Sequence, residues 1–334
     1  MEKPLQLCYP VHTLDRRELL PAGSCLTPET MTDVARSARM EMFSPMRLME
    51  YGTVAADLRS YVEQPPYSHI FSKPARTKAV FDSLQQVEFI QPLLDIYGYF
   101  KAHDPYTYRH ILTVFALSQL LAQELFEDRK ALSREFAAPS CHDFGKACVP
   151  LAICNKSTPL NEHERMQLSH HAAAGYVLLS YFLKDSNHPA AITARDHHER
   201  CDGSGYPRGI ALRNRNVEIV AVSDVFDALI SPRPYRPSSY DLRTALEEVT
   251  VLALKGAISA DVVRALISCN RKDQLHYTDC TLSHEQRGTP PPDNLYRGVT
   301  PCQYSPAGDP EGDRISAIPG KNNKESGASG RPPT

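Results

Sequence analysis

The chain has almost no net charge, no long apolar run and no closely paired cysteines, and each absence excludes a class of protein. Lys and Arg number 37 against 39 Asp and Glu, a formal charge of −2. No global field therefore draws DNA or an acidic membrane, and an anionic ligand would need local cations. No apolar run approaches the roughly 18 residues of a membrane span. The opening MEKPLQLCYP also lacks the apolar core of a signal peptide. Nine cysteines scatter from Cys8 to Cys302 without a CxxC pair, which argues against a structural zinc site and against a disulfide framework. The expectation is a cytoplasmic protein with no membrane contact. What is present is an ordinary globular composition, 42% hydrophobic and 23% charged over 334 residues. That length accommodates one large domain and a smaller one.

Three textures divide the chain. Residues 1–75 are punctuated by Pro and Gly, and LLPAGSCLTPETMTDVARSARM reads as a turn followed by a helix capped at Thr27 with Pro28 first. This is a small N-terminal module, α/β or mostly helical, with no chemistry of its own. Residues 76–272 are strongly helical. In AVFDSLQQVEFIQPLLDIYGYF, the residues Val80, Leu84, Val87, Ile90, Leu94 and Tyr97 recur at the spacing of an amphipathic helix. The next helix, TYRHILTVFALSQLLAQEL, carries Val114, Leu117 and Leu121 on a stripe that His110 extends. Further helices are predicted near 161–183, 188–199, 215–230, 240–254 and 260–269, and no strand-type alternation appears. The fold class is therefore all-α. Residues 273–334 are rich in Pro, Gly, Ser and charge. They hold too few large apolar groups to offset ordering entropy, so a disordered tail is expected.

The chemistry-bearing residues are histidines and aspartates spread over several of these helices. His110 is followed by His142 and Asp143 in HDFGK, by His171 in SHHAAAG, by His197 and His198 in DHHERCDGSGYP, and by Asp224 in AVSDVFDAL. Imidazole and carboxylate suit first-row divalent metals, and a carboxylate can bridge two of them. Seven donors exceed the needs of one ion and suit two, with open positions left for water or substrate. The gaps are too long for a compact zinc finger but suit a bundle lined by inward ligands. Taken singly, each His is more often a hydrogen-bonded core residue than a ligand. No single motif decides the matter.

Together, HDFGK, HHERCDGSGYP and SDVFDALISPRPYR, with YTYRH before them and LNEHERMQLSHHAAAGYVLL between, resemble the HD-GYP subgroup of the HD phosphohydrolase superfamily over roughly residues 76–269. The resemblance implies an HD-type helical bundle around a core metal centre, usually iron or manganese. The activity implied is hydrolysis of cyclic di-GMP to pGpG, with continuation to GMP left open. Carried over by position, the ligands are His110, His142, Asp143, His171, His197, His198 and Asp224. His171 is preferred to His170 because the motif places its ligand four residues before a glycine, here Gly175. Trinuclear members carry Glu four residues before the first His; Tyr106 stands there, which favours two ions.

The implied chemistry is attack on phosphorus by a hydroxide bridging two metals, since bound cations lower the pKa of water. Lys146 is a candidate catalytic and substrate-binding cation beside Asp143. Arg233 and Arg236 match positions that hold substrate phosphate, where Arg offers a fork of donors. Gly203, Gly205, Tyr206 and Pro207 form the motif's loop, which contacts substrate, docks a diguanylate cyclase or serves only as a turn. Asp227, Glu199 and Asp202 are candidates to orient ligands. A homodimer is compatible with this reading. Pro139 departs from the apolar run usual before HD. Inside a helix it costs about 3 kcal/mol, so the helix delivering His142 and Asp143 is expected to be bent or shortened. Two rivals stand beside this reading: the same chemistry on 3′,3′-cyclic GMP–AMP, and a non-catalytic nucleotide-binding or docking module.

Overall fold

Caps and prolines set where the helices begin. Thr27 accepts a hydrogen bond from the Thr30 N–H, with Pro28 in the first turn of helix α1 (Pro28–Ser37), as its sequence predicts. The structure, a computed structural model, describes residues 5–39, 43–126, 137–232, 238–271 and 275–291. Before α1, strands β1 (Val11–His12) and β2 (Glu18–Leu20) pair antiparallel. After it come β3 (Met46–Arg47), α2 (Val54–Glu63) and the one-turn helix α3 (Tyr67–Ile70).

The apolar stretch from Val80 to Tyr97 is not one helix. It divides into α4 (Pro74–Leu84), strand β4 (Glu88–Phe89) and α5 (Gln91–His103). Pro92 explains the break. In the first turn of α5 its missing N–H is no loss, whereas inside one long helix it would remove a hydrogen bond and clash. The freed backbone finds other partners: the Leu48 N–H donates to the Val87 carbonyl, and β3 pairs with β4.

The remaining helices are α6 (Pro105–Leu125), α7 (Ala138–Cys141), α8 (Leu151–Cys154), α9 (Glu162–Ser169), α10 (His171–Leu183), α11 (Pro189–Asp196), α12 (Arg215–Ile230), α13 (Leu242–Leu254) and α14 (Ala260–Asn270). Among the described residues the architecture is all-α apart from the two short strand pairs. Helix α6 is the central rod, packed against α12, α5, α7, α2, α4 and α14, while α10 packs on α11 and α1. Pro139 lies in the first turn of α7, so it bends nothing; the helix before His142 is simply short.

One apolar cluster runs from Leu7 through Met31, Leu58 and Tyr67 to Leu266 and Cys269. The N-terminal segment and the helical region therefore share a core. Residues 275–291, placed by composition in the tail, pack on the bundle instead. Cys280 is buried, Ser268 Oγ donates to the Leu275 carbonyl, and the Arg287 and Gly288 N–H groups donate to Glu247 Oε2. Backbone donors satisfied by one carboxylate add there to the apolar contacts of Tyr277 and Leu282 with the core. The rest of the expected tail lies outside the described residues. Cys8 is disulfide-bonded, whereas Cys25, Cys141, Cys148, Cys154, Cys201, Cys269 and Cys280 are free thiols. No helix among the described residues is long and apolar enough to cross a membrane.

Candidate metal centre

Local backbone chemistry aims each ring of the cluster. Asp104 caps α6 by accepting from the Thr107 N–H, and the register that follows buries His110. His142 terminates α7, where its Nδ1 lies 2.8 Å from the Pro139 carbonyl. His171 opens α10 with Nδ1 at 2.5 Å from the Leu168 carbonyl. His197 follows α11 with Nδ1 at 3.0 Å from the Ala194 carbonyl. A carbonyl oxygen can only accept, so in these three rings Nδ1 carries the proton and Nε2 is left as a lone pair. Asp227 Oδ2, 2.5 Å from His110 Nδ1, imposes the same tautomer on the fourth ring.

The Nε2 atoms converge. His171 Nε2 lies 3.4 Å from His197 Nε2 and 3.1 Å from His198 Nε2. His110 Nε2 lies 3.0 Å from Asp224 Oδ1 and 3.5 Å from Asp143 Oδ2. Asp143 sits between the two groups, with Oδ1 3.3 Å from His171 Nε2 and Oδ2 3.6 Å from His142 Nε2. Three overlapping donor sets result, each with its atoms within 4.8 Å of one another: His171, His197 and His198; His110, His142 and Asp224; and His142, Asp143 and His197.

These groups fit a divalent cation, and two observations say so. The buried His142 Nε2 has no hydrogen-bond partner, which is costly unless something else takes the lone pair. His171 and His197, with both Nδ1 protons committed to carbonyls, face each other lone pair to lone pair. Protonation does not relieve this, because burial lowers His171 and His197 to about 4. Burial likewise lowers His142, and holds His198 well below its ordinary value. Burial alone would push Asp143 and Asp224 up. Lys146 and the surrounding imidazoles outweigh it at Asp143, and His110 leads the groups that do so at Asp224, so both carboxylates stay well below the usual range.

All seven sequence-predicted ligands thus come together. His170 does not join them; it is buried at the α9–α10 junction, with Tyr9 edge-on at 5.5 Å. Tyr106 is exposed and brings no carboxylate. Lys146 Nζ lies 2.6 Å from Asp143 Oδ2, so this cation acts on Asp143. Arg233 and Arg236 lie outside the described residues.

In the glycine-rich loop the Tyr206 ring stacks on His198 at 4.5 Å between centroids. Tyr206 and Pro207 are joined by a cis peptide bond. Gly205 is required where it stands, because a Cβ would meet the His198 carbonyl oxygen at 2.4 Å and the Arg200 nitrogen at 2.5 Å. Glu199, fully buried, accepts from the Arg208 and Ile210 N–H groups and so anchors the loop rather than a ligand. Asp202 accepts from the Ser204 N–H and hydroxyl, a local turn with Gly203 at φ +78°. Sequence reasoning missed Thr113 and Tyr67, both of which donate to Asp227 Oδ1. Thr113, one turn after His110 in the same helix, was the more findable of the two.

A buried helical bundle that lines its core with five imidazoles and two carboxylates defines a metal-binding HD-type domain. Residues 96–255 match the family described as HD domain, a span that contains all seven donors and the glycine-rich loop. The chain is 34% identical over 189 residues to a cyclic di-GMP phosphodiesterase of Thermotoga maritima, covering 55% of this chain and 50% of that protein. It is 42% identical over 120 residues to the cyclic di-GMP phosphodiesterase response regulator RpfG of Xanthomonas campestris, covering 35% and 32% respectively. A 3′3′-cGAMP-specific phosphodiesterase of Vibrio cholerae is 35% identical over 177 residues, covering 52% and 36%. The chain spans half or less of the length of these curated relatives.

Proposed function

We propose that the chain is a cyclic dinucleotide phosphodiesterase that opens cyclic di-GMP to pGpG, with GMP as the further product. The observation that carries this is the position of Asp143, between two groups of inward-facing donors. His110, His142, His171, His197, His198, Asp143 and Asp224 would hold two divalent ions, iron or manganese, with Asp143 shared. When bound, such a pair supplies Lewis-acid chemistry that makes water nucleophilic near neutral pH and offsets charge on phosphoryl oxygens.

The chain's own residues prepare that chemistry. Committed Nδ1 protons hold the rings in one tautomer, so no reorganisation is needed when the site is used. Lys146 keeps Asp143 ionised. Tyr206, stacked on His198, places the loop at the edge of the centre. Arg233 and Arg236 would take the substrate phosphates. Arg236→Ala is expected to raise KM for cyclic di-GMP about tenfold or more with metal content unchanged; joint loss of metal and activity would instead assign that segment a structural role.

The names of the relatives support two substrates, so 3′,3′-cyclic GMP–AMP is the second reading. The proposed location is the cytoplasm, which the seven free thiols suit and the disulfide at Cys8, contrary to the sequence expectation, does not. Docking of a diguanylate cyclase would use the exposed Asp202, Ser204 and Gly209 rather than the buried Tyr206. The test is anaerobic purification, metal analysis and turnover of both cyclic dinucleotides on one sample, with its size in solution measured alongside. About two iron or manganese ions per chain and turnover of cyclic di-GMP are expected. An active, fully loaded sample holding one or three ions would overturn the two-ion reading, and a fully loaded sample that turns over neither dinucleotide would overturn the enzymatic one.

A further inference from the structure

Tyr67 belongs to the N-terminal segment, yet its hydroxyl reaches the far side of the metal centre. It is fully buried in α3. Its hydroxyl donates to Asp227 Oδ1 and lies 3.0 Å from Ser231 Oγ. Thr113 Oγ1 donates to the same carboxylate oxygen at 2.6 Å. The other oxygen, Oδ2, takes the Nδ1 proton of His110 at 2.5 Å, and His110 Nε2 then points at Asp224 and Asp143. A relay of hydrogen bonds therefore joins α3 to a proposed ligand on α6 through a carboxylate on α12.

We infer that Tyr67 is a positioning residue of the metal centre, and that the N-terminal segment is thereby part of the site. The inference rests on the reading of His110 as a ligand. Asp227 is fully buried, and a buried carboxylate keeps one orientation only while its oxygens are held by donors. Tyr67 supplies one of those donors from α3, an element that also packs against α2 and α14. The Arg109 guanidinium lies 5.9 Å from the Tyr67 ring centroid and 5.7 Å from that of Tyr61, within cation–π range of both rings. Fixing Asp227 fixes the tautomer, direction and basicity of His110. A partner bonded directly to a ligand, as Asp227 is to His110, typically changes metal affinity by about 10–100-fold, and Tyr67 acts one bond further out.

The test uses the full chain, stripped of metal and titrated with Mn²⁺ against a chelating dye. Tyr67→Phe keeps the ring and removes only the hydroxyl. It is expected to weaken Mn²⁺ binding by up to about tenfold, in protein that still folds, with a metal-free melting temperature lowered by the loss of one buried hydrogen bond. Unchanged affinity overturns the inference, as does a drop in metal-free stability with normal affinity in the folded protein, which marks a packing role. The double variant His142→Ala/Asp143→Ala separates the two readings. If it binds Mn²⁺ normally the metal-centre reading itself falls; if it loses metal while Tyr67→Phe does not, only the role of Tyr67 falls. Should Tyr67→Phe not fold, amide exchange of the unsubstituted chain decides. Mn²⁺ is expected to slow exchange at residues 67–71 together with residues 197–198, and protection confined to the latter overturns the inference.

Discussion

Two imidazole nitrogens that face each other with no proton between them make a charge-sensitive arrangement, and it governs how this protein responds to acid. Burial holds His171, His197 and the neighbouring His170 at about 4, against about 6.5 in an unfolded chain. Between those values the unfolded chain binds more protons than the folded one. Stability therefore rises with pH across the window and is lost as pH falls from about 6.5 toward 4. Glu199, raised by burial, works in the opposite direction, one group against five once His142 and His198, also lowered by burial, are counted. The metal-free protein is expected to lose about 5 °C or more of melting temperature between pH 7 and 5, read by circular dichroism in the presence of a chelator. Saturating Mn²⁺ should raise the melting temperature more at pH 7 than at pH 5, because protons compete for the same lone pairs. A melting temperature that is flat or higher at pH 5 contradicts neutral rings at this site.

Elements translate such residues into geometry, and the glycine-rich loop shows how little tolerance they have. Gly205 lies against the backbone of His198 to Arg200, with no room for a methyl group. Gly205→Ala must push the loop off Glu199 and unstack Tyr206 from His198. The expected cost is about 1–3 kcal/mol of stability, with turnover falling more steeply than metal content. Normal turnover in that variant would show that the loop adapts freely. This tight contact explains why the motif was legible: backbone approach and ring stacking demand particular residues at fixed spacing. The candidate ligands were legible for the same reason, since HDFGK and DHHERCDGSGYP keep their donors within short segments. Helix boundaries were less so. Apolar spacing from Val80 to Tyr97 matches one helix, and only the backbone demand of Pro92 reveals the division. Tyr67 was not legible at all, because its partner Asp227 lies 160 residues away and no local pattern records a contact across that distance.

At the scale of the whole molecule, one core joins the N-terminal segment to the helical bundle, and the chain's contribution to that body extends to residue 291 at least. Two cuts separate what belongs to it from what does not. Residues 292–334 contain none of the proposed ligands or phosphate cations, and their Pro, Gly, Ser and charge offer little apolar surface to bury. Truncation after Pro291 is expected to leave metal content and kcat close to those of the full chain. Truncation after Leu282 removes the Arg287 and Gly288 N–H groups that satisfy Glu247. It also removes Gly288 from its close packing on Thr244. Its expected effect is a loss of roughly 1–2 kcal/mol, seen as a lower melting temperature with metal content retained at low temperature. Composition alone predicts that a cut near Arg287 is silent; the hydrogen bonds to Glu247 predict that a cut after Leu282 is not. A large fall in kcat after the first cut, with metals retained, would mean that residues beyond 291 act on the centre directly, for instance through Tyr296 or Arg297, and would extend the functional body to the end of the chain.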